Sequence, residues 1–227
     1  MGQLIALEGI DGSGKGTQAA RLQRFLAEQG YGCRMWSFPR YGATKFGAQI
    51  AAYLNGRFGT LHQVHPVLVS LLFAGDRLET RADLLASLAE ADVVLCDRYV
   101  PSNIAHQGAK LEGSARSEVI RWIEFVEYEL FALPRADLVL WLDMPVEQAR
   151  MLIARKGQRD YTQHAADLQE ADGAYLEQVR SVYAELAAHD ATWVSVPAMG
   201  ADGLRPVDEV ADELARTVIN RLRLLGS

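Results

Sequence analysis

The feature that most constrains this chain is the loop that follows its first apolar run. Leu4 to Glu8 passes directly into Gly9-Ile10-Asp11-Gly12-Ser13-Gly14-Lys15-Gly16-Thr17, after which Gln18, Leu22 and Leu26 recur at helical spacing. Strand, glycine-rich loop, helix is the order a phosphate-binding loop needs. Phosphate oxygens must be approached by bare backbone N–H groups, which Gly12 and Gly14 permit sterically, while Lys15 and the positive helix N-terminus supply charge. The bland alternative is a glycine-rich turn whose lysine points at solvent, and the full spacing in this context argues against it. Gly16 stands where many such loops carry the Ser or Thr hydroxyl that ligates Mg²⁺, so a metal needs another holder; Asp11 is the nearest acid.

Short β-rich runs alternate with long amphipathic segments along the rest of the chain, the pattern of a parallel sheet whose crossovers are helices. Strands are expected at Leu4 to Glu8, Cys33 to Phe38, Val93 to Asp97, Leu138 to Asp143 and Trp193 to Val196, each apolar on both faces. Gly30 should end the first helix, Pro66 and Pro145 fit first helical positions, and Asp208 precedes the last periodic run. No Pro/Gly/Ser linker, repeat or low-complexity stretch divides the chain, so residues 1–227 read as one α/β domain, a three-layer α/β/α P-loop NTPase type with a five-stranded parallel sheet.

At 49% hydrophobic and 23% charged residues the composition is that of a globular protein, which excludes disorder and coiled coil. Against 23 bases stand 29 acids, a net charge of −6, so a general nucleic-acid or anionic-membrane binder is not expected and bound anions must be met by a local cluster. Cys33 and Cys96 both lie in apolar stretches and read as buried thiols of a reducing compartment. The first residues lack a basic region and cleavage site, and the densest apolar run, Val67 to Ala74, is far short of a bilayer span. A cytoplasmic protein is expected.

Three further segments carry chemistry. Val93 to Asp97 ends in Asp97-Arg98-Tyr99, placing an acid and a guanidinium at the carboxyl edge of the sheet, where open α/β folds bind ligands; the pair reads equally as a phosphate grip or as a structural ion pair. Phe73 and Arg77 are four apart on one expected helix, suited to stack on a nucleobase and donate to its carbonyl, or else a core Phe and a surface Arg capping its own helix. Arg155-Lys156-Gly157-Gln158-Arg159 gathers three cations in five residues, either a solvated face or a lid (about 155–165) closing over phosphates; Asp167 and Glu170 follow on one expected helical face.

The loop sequence Gly-Lys-Gly-Thr-Gln resembles that of the nucleoside monophosphate kinases. Nearly the whole chain resembles the thymidylate kinase family, on Glu8-Gly-Ile-Asp-Gly-Ser-Gly-Lys, Phe38-Pro39-Arg40-Tyr41, Leu72-Phe73-Ala74-Gly75-Asp76-Arg77 and Asp97-Arg98-Tyr99 with Ser102-Asn103. The resemblance implies phosphorylation of dTMP by ATP with Mg²⁺, and a homodimer formed through helices. It implies that Gly9, Asp11, Gly12, Ser13, Gly14, Lys15, Gly16 and Thr17 hold ATP, and that Phe73 stacks on thymine while Arg77 donates to it. Phe38, Tyr41, Arg98, Asn103 and Asp11 would help hold dTMP, with His106 in place of a tyrosine that reads the sugar 2′ position and Gln169 in place of a second tyrosine near the base. Asp11, with Glu170 or Asp167 behind it, would serve the metal. Lys15, Arg98 and Asp11 would be catalytic. Gly12, Ser13 and Gly16 leave no arginine in the loop, so transition-state countercharge falls to Arg155 or Arg159. The alternatives are another monophosphate kinase, which the Phe73/Arg77 helix disfavours, and a non-catalytic nucleotide-binding regulator or GTPase-like switch, against which the lack of an Asn-Lys-x-Asp motif counts.

Overall fold

The computed structural model describes residues 2–155, 168–170 and 172–225, apart from the side chains of Arg155 and Leu225. In chain order these form β1 (Gln3–Glu8), α1 (Lys15–Glu28), β2 (Cys33–Ser37), α2 (Lys45–Leu54), α3 (Pro66–Glu79), α4 (Arg81–Glu90), β3 (Val93–Asp97), α5 (Val100–Gly108) and α6 (Gly113–Glu124). A π-helical turn (Phe125–Leu130), β4 (Leu138–Asp143), α7 (Val146–Arg155), α8 (Gly173–His189), β5 (Trp193–Pro197), β6 (Met199–Gly200), β7 (Gly203–Leu204) and α9 (Val207–Leu225) follow.

β1 to β5 make one parallel sheet in the order β2-β3-β1-β4-β5. Alternation along the central strands divides the core between two faces. Ile5 and Leu7 of β1, with Val93 and Leu95 of β3, face α1 and α9 through Leu22, Leu26, Leu214 and Val218. Leu4 and Ala6, with Val94 and Cys96, face α4, α5 and α6 through Leu84, Leu88, Ile104 and Ile123. The connection from β1 to β2 runs toward one edge of the sheet and that from β3 to β4 toward the other, so the winding direction reverses beside β1, and ligands of such sheets bind at the carboxyl ends of the strands at that point. β1 delivers the glycine loop to it.

The expected strands all form, and the sheet is the α/β architecture the alternation implies. β2 departs from the double-sided apolar reading: it is an edge strand, Arg34, Met35 and Ser37 are exposed, and Cys33 is only half-buried. The short β6–β7 hairpin was not expected, because two-residue strands leave no periodicity to read. Pro66 opens α3 as expected, whereas Pro145 lies one residue before α7 and its carbonyl accepts from Ala149 N, a capping position. Asp208 falls inside the first turn of α9. The expected lid lies outside the described residues except for Arg155, which ends α7. Among the described residues no helix is long and apolar enough to cross a membrane.

Candidate active site

Gly9 to Thr17 wraps the positive end of α1, whose N-cap, Gly14, takes the left-handed conformation (φ 90°) that only glycine adopts cheaply. Gly12 (φ 82°) is pressed so close to α7 that an added Cβ would stand 2.4 Å from the Ala149 carbonyl oxygen. Lys15 is buried, and its Nζ donates to Gly9 O (2.9 Å) and Ile10 O (2.8 Å), curling the loop around the ammonium. Burial, reinforced by the nearby Arg98 guanidinium, lowers its pKa to about 7.

Arg98 stands beside the loop and pairs with Asp11 (Nη2 to Oδ1, 2.7 Å), not with its neighbour Asp97. Its Nη1 donates to Ser102 Oγ (3.1 Å) and Gly9 O (3.3 Å), and lies 3.3 Å from His106 Nε2. Tyr175 OH donates to the His106 carbonyl (2.9 Å) and lies 3.0 Å from His106 Nδ1. A hydroxyl has one proton, so Nδ1–H donates to it and Nε2 is left as the acceptor for Arg98. Burial, then Arg98, lowers the imidazole pKa to about 3, so the ring is neutral. Both ring nitrogens expected near the sugar 2′ position are therefore engaged with protein.

Arg77 is neither surface nor cap. It is 2% exposed and pairs bidentately with Glu127 of the π-helical turn, Nε to Oε2 at 2.5 Å and Nη2 to Oε1 at 2.6 Å. Asn103 Nδ2 donates to Glu127 Oε1 (2.8 Å) and Ser70 O (3.0 Å), which fixes the amide's orientation and leaves Oδ1 buried with no partner. Gln107, one helical turn on, is fully buried, and both its amide atoms lack partners. Neither Glu127 nor Gln107 was singled out from sequence; Gln107 follows His106 in the same α5 run, and nothing in the chain pairs Glu127 with an arginine 50 residues earlier. Asp76, also buried, accepts from Arg40 N (2.9 Å) and Thr44 Oγ1, pinning the loop that carries Tyr41.

Three recesses meet at this edge. A basin of about 200 Å³ is walled by the glycine loop, Lys15, Asp97 and Arg98. On one side it shares Gly12 and Gly14 with an apolar recess of about 290 Å³ bounded by Leu142, Met144, Leu152, Leu204 and Val210. On the other it shares Asp11, Phe38, Tyr41 and Arg98 with a cleft lined by Phe73, Arg77, Asn103, His106, Gln107 and Gln169. That cleft is nearly closed, at about 30 Å³. A larger concavity of about 1400 Å³ flanks β2 and holds none of the phosphate-loop groups.

The expected metal acids are not gathered into one set. Asp11 Oδ1 is held by Arg98, Glu170 does not line the phosphate basin, Asp167 lies outside the described residues, and among those described no three His, Cys, Asp or Glu side chains converge on one point. Asp97 is better placed, because its Oδ2 would stand 3.4 Å from a Cβ on Gly16, the position where related loops carry their metal-binding hydroxyl. One carboxylate beside a phosphate basin fits Mg²⁺, which takes one or two carboxylates and completes its shell with phosphates and water. Arg155 closes α7 and Arg159 lies outside the described residues.

Two recesses sharing opposite walls of one phosphate basin suit two phosphate-bearing ligands meeting end to end, and that defines the class as a P-loop phosphotransferase with a mononucleotide acceptor. The family model described as thymidylate kinase matches residues 7–210. The thymidylate kinase of Mycobacterium tuberculosis is 34% identical over 82% of this chain and 86% of its own, and that of Leifsonia xyli is 34% identical over 94% and 92%. A solved thymidylate kinase structure from Candida albicans superposes with a TM-score of 0.73 at 26% identity, covering 97% of this chain and 92% of the other. The chain belongs to the thymidylate kinase family.

Proposed function

We propose that the chain transfers the γ-phosphoryl group of ATP directly to the phosphate of dTMP, giving dTDP and ADP. The observation that carries the reading is the shared wall: Arg98 and Asp11 belong both to the basin at the glycine loop and to the cleft beneath Phe73 and Arg77. In this reading the donor base takes the apolar recess, and the backbone of Gly9 to Thr17 cradles its phosphates. Lys15 turns from its carbonyls to the β/γ oxygens, and the acceptor phosphate lies against Arg98. An acceptor oxygen attacks the γ-phosphorus in line as ADP departs, so the chain supplies position and countercharge with little covalent chemistry. Asp97, together with the donor phosphates, would hold Mg²⁺, which when bound would supply charge neutralisation to the donor. Arg155 or Arg159 supplies the countercharge the loop lacks.

Phe73 stacks on thymine and Arg77, steered by Glu127, donates to its carbonyl. A pyrimidine imide edge offers an N–H between two carbonyls, and the unpartnered Asn103 Oδ1 and Gln107 amide offer a complementary acceptor and donor. The cleft's small volume means that its walls part as the nucleotide enters. A homodimer through α2, α3 and α6 is supported by exposed Phe46, Leu68, Trp122, Phe125 and Leu130 on these helices and the adjoining turn, α3 packing against both α2 and α6. Work in the cytoplasm suits two unpaired thiols. Steady-state ADP formation with dTMP, dUMP, AMP, CMP and GMP tests the acceptor. Turnover highest with dTMP is the expected result; preference for another monophosphate, or none at all, overturns the reading.

A further inference from the structure

Glu8, the last residue of β1, is fully buried at the phosphate edge and lines none of the three recesses. Its two oxygens take three hydrogen bonds. Oε1 accepts from Tyr99 N (2.8 Å); Oε2 accepts from Ser102 Oγ (2.5 Å) and Tyr183 OH (2.9 Å). Ser102 Oγ in turn accepts from Arg98 Nη1 (3.1 Å), so its own proton is committed to Glu8.

These bonds converge on a residue in an unusual state. Arg98 has φ 67°, in the left-handed region, and a non-glycine residue stays there only where its surroundings over-determine it. Two main-chain bonds hold it: Arg98 N donates to Leu7 O (3.0 Å), and the peptide that follows is tied by Tyr99 N to Glu8. One carboxylate therefore fixes both ends of Arg98. Oε1 sets the backbone turn that aims the side chain over the basin, and Oε2 sets the hydroxyl on which the guanidinium rests.

We infer that Glu8 is a positioning residue for the transfer reaction, acting on the acceptor phosphate only through Arg98, with the Tyr99 peptide and Ser102 as its intermediaries and Tyr183 OH bracing its Oε2. The inference rests on the role given to Arg98 above. A carboxylate is required because three donors surround the group. In a Gln side chain the –NH₂ would face either the Tyr99 N–H or both hydroxyls, and the Tyr99 peptide or Ser102 would have to move. Displacement of a positioning group by about 1 Å costs on the order of 10²-fold in rate.

Steady-state kinetics on Glu8→Gln, Arg98→Ala and the double variant test this. Glu8→Gln should lower kcat/KM for dTMP by about 10²-fold and leave the ATP KM within about threefold. In the Arg98→Ala background the same change should cost less than about threefold, because its route of action is already gone. Equal costs in both backgrounds, or a parallel rise of both KM values, would overturn the inference and leave Glu8 a structural core residue. If Glu8→Gln does not fold, Tyr183→Phe, which removes one donor and keeps the ring, should give the same pattern at about tenfold, again suppressed by Arg98→Ala. Arg98→Ala with unchanged dTMP kinetics would instead overturn the reading of the site itself.

Discussion

Replacing Glu127 by Gln isolates the buried pair under the acceptor cleft. The change preserves volume, so its cost is electrostatic. Arg77 and Glu127 are 2% and 0% exposed, and the carboxylate receives Nε, Nη2 and Asn103 Nδ2 within 2.8 Å. An amide presents one oxygen and one –NH₂, so at least one of these donors meets another donor, and a guanidinium out of reach of water loses its counter-charge. Breaking a buried ion pair by removing one partner costs about 3–5 kcal/mol. The loss of two charge-assisted bonds at roughly 1.5–3 kcal/mol each gives the same scale. Taking about 4 kcal/mol, and roughly 2–4 °C per kcal/mol for a chain of this size, Tm should fall by on the order of 10 °C. Because Arg77 also lines the cleft, the dTMP KM should rise about tenfold while the ATP KM stays put. Urea unfolding with an unchanged m-value and steady-state kinetics give both numbers. A stability loss below about 1 kcal/mol would refute the argument, since it would mean that Arg77 is satisfied without Glu127.

Phe73→Ala should raise the dTMP KM far more than the ATP KM, since stacking of a base on an aromatic is worth about 1–3 kcal/mol; equal effects would make Phe73 a core residue. Arg155→Ala or Arg159→Ala should lower kcat by about 10³-fold with dTMP binding nearly intact, because such arginines act mainly in the transition state; a loss of only a few-fold in both moves the countercharge to Arg98. With Lys15 lowered to about 7 and recharged by donor phosphates, ATP binding should take up a proton and weaken above neutral pH. Calorimetry in buffers of different protonation enthalpy detects that uptake, and its absence at pH 8 contradicts the assignment. His106, at about 3 in the fold against 6.5 ordinarily, leaves the unfolded chain binding more protons between those values, so stability falls as pH drops through that window, by up to about 1.4 kcal/mol per unit. Urea midpoints from pH 7 to pH 4.5 should decline less steeply in His106→Gln than in the parent chain.

The sheet was legible because β1, β3 and β4 are covered on both faces and leave unbroken apolar runs, and the glycine loop because its backbone geometry demands particular residues. β2 misled for the converse reason: its apolar letters Cys33, Met35 and Trp36 lie on an exposed edge, a matter of strand order that no local pattern records. Phe73, Arg77, Asn103 and His106 could be placed at one cleft, but their partners could not. Glu127 reaches Arg77 from the π-helical turn that follows α6, and Glu8 reads as one more letter of a strand until Tyr99, Ser102 and Tyr183 close around it. Contacts spanning 24 to 175 residues depend on tertiary packing, not on spacing.

The contact between Gly12 and α7 limits where an arginine can be placed. If the lid supplies the countercharge as proposed, a loop arginine at that position would relieve it of the task, yet a Cβ there runs into the Ala149 carbonyl and the Ile153 side chain (2.9 Å), on a backbone of positive φ. Gly12→Arg alone therefore destabilises the loop before its guanidinium can reach a phosphate. Moving the charge from lid to loop would require α7 to shift outward as well.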